Sequence, residues 1–96
     1  MTTPLTLTRS EDSQGRSLIT AKGEIDLSNT GAFASALADV EGPLVVDLTG
    51  VTYVDSAGMS VLFAEAERLE IIVTPLLGPL LEISGITSMA TIKGLE

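Results

Sequence analysis

The chain has 96 residues, room for one hydrophobic core but too few for two ordinary domains, so residues 1–96 are expected to fold as a single domain. Apolar residues make up 45% and charged residues 19%, which excludes a disordered tail. With aromatics at 3% and a net charge of −8, the chain has few platforms for stacking bases and repels phosphates. A nucleic-acid partner is therefore excluded, and a basic or mixed protein surface is favoured. The absence of His and Cys removes most zinc sites, the usual catalytic triads, thiol nucleophiles, disulfides and histidine phosphocarriers together. No catalytic residue, metal ligand or cofactor is expected.

Segment 1–10 lacks the basic start and apolar run of a secretion signal. The most apolar stretch, 71–81, is interrupted by Thr74, Pro75, Gly78 and Pro79, so no membrane span is expected and the default address is cytoplasmic. Leu5 and Leu7 alternate with Thr6 and Thr8, a polar turn spans 11–15, and apolar residues return over 17–25, predicting two strands joined by a turn. Ser28 or Asn29 can cap a helix in which Phe33, Ala34, Leu37 and Ala38 recur at helical spacing, stopped by Gly42-Pro43. Leu44-Val45-Val46-Asp47-Leu48 reads as an interior strand with a parallel neighbour.

A loop through Gly50 and Tyr53 is predicted next, then a helix over 57–69 carried by Met59, Leu62, Phe63, Ala66 and Leu69. Ile71-Ile72-Val73 is the next strand, 76–84 a third helix stopped by Gly85, and 87–93 a final edge strand. The order β-β-α-β-α-β-α-β implies an α/β domain whose mixed β-sheet of about four or five strands carries its helices largely on one face.

In such a sheet, functional residues gather where loops leave the carboxyl ends of parallel strands, which selects 51–58 and the segment after Ile25. Asp55-Ser56-Ala57-Gly58 lies where the second helix begins, so the Ser56 hydroxyl should stand beside free backbone N–H groups at the positive end of the helix dipole. A phosphate on Ser56 would be tolerated there and would alter the surface without melting the helix. Asp or Ser at that position is also an ordinary cap, and the two roles are compatible. Ala57, Val61 and Ala64 form a second apolar stripe, separated from the core stripe by Ser56, Ser60 and Glu67. That stripe is either covered by a loop or held in reserve for a partner.

Gly23-Glu24-Ile25-Asp26, Val45-Val46-Asp47-Leu48 and Val54-Asp55-Ser56-Ala57-Gly58-Met59 occur in the order and approximate spacing of the STAS domain, and the chain resembles a bacterial anti-sigma factor antagonist. Leu81-Glu82-Ile83-Ser84-Gly85-Ile86 resembles the leucine-rich third helix of that family and its glycine stop, so the resemblance extends over 5–92. It implies partner switching. The unmodified antagonist binds an anti-sigma factor, often itself an ATP-dependent serine kinase, and frees a sigma factor for transcription. Phosphorylation of the serine matched by Ser56 reverses this, and a serine phosphatase restores the active form.

The resemblance makes this chain a substrate of two enzymes and a catalyst of neither. The expected partner-binding residues are Asp26, Asp55, Ser56, Ala57, Gly58, Met59, Ser60, Val61 and Ala64, with Asp26 and Asp55 flanking Ser56 if the two strand-end loops meet. The chain departs from the family pattern in a shorter second helix and turn, rich in Glu65, Glu67 and Glu70, and in Gly78-Pro79 at the start of the third helix. The alternative from a different class is a STAS-like accessory subunit of an ABC-type transporter, in which the motif serine is only a cap. Nucleotide binding by the chain itself lacks a Gly-rich phosphate loop with Lys.

Overall fold

The computed structural model describes residues 4–94. Strands β1 (Thr6–Glu11) and β2 (Ser17–Ile25) form the predicted antiparallel hairpin. Asp12 organises its turn, accepting from the N–H groups of Gln14 and Arg16 at 2.9 and 2.8 Å and pairing with the Arg16 guanidinium. Loss of solvent pushes the Asp12 carboxyl up, but those N–H groups and the Arg16 charge outweigh it and hold the group below its ordinary value. Helix α1 (Thr30–Ala38) then crosses to β3 (Leu44–Val54), α2 (Ser56–Glu65) to β4 (Leu69–Ile72), and α3 (Gly78–Ser84) to β5 (Thr91–Lys93).

The five strands lie in the order β1-β2-β3-β4-β5, with β2 to β5 parallel. Right-handed crossovers between parallel strands in sequential order put every connecting helix on one face. The side-chain rows agree. Ile19, Val46, Ile71 and Ile92 are register neighbours facing a core that includes Phe33, Leu37, Leu62, Leu81 and Ile86, whereas the adjacent row on the other face is Thr20, Asp47, Ile72 and Lys93. Arg16 and Lys93 both pair with Glu70 on that second face, at 3.2 and 3.5 Å, so the open side of the sheet is laced by charge.

Several boundaries differ from expectation. The region around Gly50 and Tyr53 is strand, not loop, because β3 carries an extra residue opposite β2 at two places: Thr20 and Lys22 pair with Asp47 and Gly50, and Gly23 and Glu24 with Val51 and Tyr53. These bulges change the burial period from two to three, so Leu48, Val51 and Val54 are buried while the residues between them are exposed. Asp47 supports the first irregularity by accepting from the Thr49 N–H at 2.8 Å.

The second helix stops at Glu65, not Leu69. A 3-10 turn, Ala66–Arg68, follows, and Leu69 instead pairs with Leu44 in the sheet. The cause is Arg68, whose guanidinium donates to the carbonyls of Leu37, Val40 and Gly42 at 2.7–2.8 Å and to Glu65. It thereby ties the carboxyl end of α1 to the turn that follows and sets a positive charge on that end of its dipole. Finally, a 3-10 turn at Pro75–Leu77 precedes α3, which begins at Gly78, and the last strand is only Thr91–Lys93, after a further turn at Ile86–Ser88. Gly85 ends α3 in the left-handed conformation, φ +83°, as predicted.

Gly58 sets how closely α2 approaches the sheet. A Cβ there would fall 2.7 Å from Ile25 Cγ2 and 2.8 Å from Val54 Cγ1. Gly58→Ala is therefore expected to destabilise the fold by about 1–3 kcal/mol in urea titration through overpacking, despite the better helix propensity of alanine. Arg68→Ala is expected to cost about 2–3 kcal/mol, and Arg68→Lys to recover less than half of it, because an ammonium cannot span three carbonyls and a carboxylate as the planar fork does. A loss below roughly 0.5 kcal/mol for Arg68→Ala would remove this explanation of the early helix end.

Candidate functional site

Ile25 and Val54 are register neighbours at the carboxyl ends of β2 and β3, so the loops after them emerge side by side. The Asp55 N–H donates to the Ile25 carbonyl at 3.1 Å, extending that pairing one residue further. The Asp55 side chain then serves two segments. Its Oδ1 accepts from the Gly58 N–H at 2.9 Å, capping α2, and its Oδ2 accepts from the Leu27 N–H at 3.0 Å, in the other loop. The capping role expected of Asp55 is thus joined by a clamp between loops.

Ser56 is the first residue of α2 and is exposed. It follows the capping Asp55 directly at the amino end of the helix. Ser60, one turn along, is also exposed and donates its Oγ to the Ser56 carbonyl at 3.0 Å. Asp26 is committed to its own loop: its carboxylate accepts from the Ser28 N–H and hydroxyl, and its carbonyl from the N–H groups of Asn29 and Thr30. Asp26 thus shapes the loop that meets Asp55, and the two strand-end loops do come together.

The remaining predicted residues divide by burial. Gly58 and Met59 are buried, Gly58 against Ile25 and Val54, and so support the site from beneath instead of presenting a side chain to a partner. Ala57 and Val61 are half-buried, with Val61 packed on the margin of the core, and Ala64 is exposed. Helix α1 packs against α2, and Ala34 joins Ser60, Val61, Ala64 and Glu65 in lining a shallow groove of about 260 Å³ between the two. The second apolar stripe is thus partly covered by a helix, not a loop, and what it leaves open is narrow.

Two residues at this end escaped the sequence reading. Leu27 is 78% exposed and Tyr53, at the end of β3, is 49% exposed. The available signal for Leu27 was an apolar residue set among Asp26, Ser28 and Asn29 in a turn, where nothing in the core calls for one. Among the described residues no cluster of three or more acidic side chains could hold a metal, and no helix is long and apolar enough to cross a membrane.

A family profile described as "Mlab, STAS domain" matches residues 9–91. The curated proteins contain no match to the chain. Among solved structures, an anti-sigma factor antagonist from Mycobacterium paratuberculosis superposes with a TM-score of 0.80 at 22% identity, over 93% of this chain and 85% of that one. The STAS domain of an antisigma-factor antagonist from Rhodobacter sphaeroides gives 0.53 at 16% identity, over 72% of this chain and 84% of that one. At these identities the structural likeness is one of fold, and the profile match, spanning most of the sequence, supplies the family. The chain belongs to the STAS-domain family.

Proposed function

We propose that the protein is an anti-sigma factor antagonist that binds an anti-sigma factor when Ser56 is free and releases it when Ser56 is phosphorylated. The observation that carries the reading is the placement of Ser56: an exposed hydroxyl opening α2, beside a capping carboxylate, where the loops of two parallel strands converge. The two solved structures of antagonists sharing the fold add support. In this reading the anti-sigma factor is a serine kinase, a serine phosphatase resets the switch, and the chain acts in the cytoplasm with no chemistry or cofactor of its own.

The switch follows from charge. Phosphorylation adds about −1.5 to −2 charges next to Asp55, on a chain already at −8. The cations with charge partners are engaged elsewhere, Arg16 with Asp12 and Glu70, Arg68 with Glu65, and Lys93 with Glu70. An interface shaped around the neutral hydroxyl would enclose this dianion at a cost of several kcal/mol unless a partner Arg or Lys met it. Asp26, Asp55, Ala57, Ser60, Val61 and Ala64 complete the proposed docking surface, with Gly58 and Met59 beneath it.

Calorimetric binding to the purified anti-sigma factor tests this. Ser56→Ala is expected to bind as the unmodified chain does, whereas Ser56→Glu is expected to bind at least about tenfold more weakly, a difference near 1.4 kcal/mol. Equal affinity of the two variants would end the switch reading.

A further inference from the structure

The segment joining β2 to α1 is short, and each backbone N–H from Asp26 to Thr30 has an acceptor. The Asp26 N–H donates to Asn29 Oδ1 and the Leu27 N–H to Asp55 Oδ2, both at 3.0 Å, and the Ser28 N–H to Asp26 Oδ1 at 2.9 Å. The N–H groups of Asn29 and Thr30 share the Asp26 carbonyl, and Asn29 Nδ2 donates back to the Glu24 carbonyl at 2.8 Å. A loop bonded this completely has little freedom left to lose on association.

This ordered loop nevertheless displays Leu27 to solvent, 78% exposed. Single exposed leucines are common, so exposure alone argues nothing. What distinguishes Leu27 is that its backbone is held by the carboxylate of the residue preceding Ser56, from a chain segment 28 positions away. The position of this apolar side chain and the local structure of the serine therefore depend on one group.

We propose that Leu27 is a preorganised apolar anchor for the partner that reads Ser56, and that Asp55 is the positioning residue coupling the two. The proposal rests on the antagonist reading and names its occupant, the anti-sigma factor, as a surface with an apolar pocket rimmed by Arg or Lys. Charge complementarity requires that rim, since Asp26 and Asp55 border the anchor on a chain of net charge −8. A rigid aliphatic anchor inside a polar ring is a recurring form of interface hot spot.

The test combines amide hydrogen exchange of the free chain with calorimetric binding to the purified anti-sigma factor. Leu27→Ala is expected to keep the wild-type exchange pattern and to bind roughly tenfold more weakly, the scale of a hot-spot truncation. Asp55→Asn has a single acceptor oxygen for two N–H groups. It is expected to speed exchange at Leu27 and to weaken binding similarly, with little added by combining the two changes. Leu27→Ala binding within about twofold of wild type would overturn the anchor. Leu27 exchange as fast in wild type as in Asp55→Asn would overturn the coupling. Failure of the antagonist reading is separately visible, because it appears as equal binding of the two Ser56 variants whatever Leu27→Ala does.

Discussion

The parallel pairing of β2 with β3, carried to Ile25 and Val54 and one step further by the Asp55 N–H, is the contact on which this end of the molecule depends. It brings two loops from distant parts of the sequence to one place. Gly58 then lets α2 settle directly on Ile25 and Val54, and Asp55 secures the helix with one carboxylate oxygen and the β2–α1 loop with the other. Ser56 is left exposed on the first turn of that helix, and in the proposed switch a charge placed there is read by the docked partner.

The opposite end of the sheet is fixed by different means. Arg68 secures the end of α1 by bonding the Leu37 carbonyl and those of Val40 and Gly42 in the turn after it, and Glu70 joins Arg16 on the hairpin side to Lys93 on the last strand. Most of the positive charge with assigned partners therefore lies near the amino ends of the parallel strands or at the carboxyl end of α1. The carboxyl ends of β2 and β3 carry Asp26 and Asp55, and the proposed partner would meet them with its own cations.

The fold was largely legible in the sequence because its signals are local: the hairpin over 6–25, the period of Phe33 and Leu37, the apolar run at 44–48 and the glycine at 85 each specify their element without help. Two of the misread boundaries involve a distant residue. The β3 bulges replace alternation with a three-residue period that resembles a loop. The helical spacing of Ala66 and Leu69 is overridden because Arg68 binds α1 and Leu69 is needed opposite Leu44. At the candidate site the helix cap was legible at Asp55, where capping chemistry is written in adjacent residues. Not legible were the Leu27 backbone contact, a hydrogen bond to a residue 28 positions away, and the packing of Gly58 on Ile25 and Val54.

The most direct test of the central claim is affinity purification of the wild-type chain from its own cells, with mass spectrometry of its partners and of Ser56 in the bound and unbound fractions. The account predicts an ATP-binding, kinase-like protein bound to chains unmodified at Ser56, with phosphoserine confined to the unbound fraction. A transporter ATPase bound to the chain, with Ser56 unmodified throughout, would contradict it.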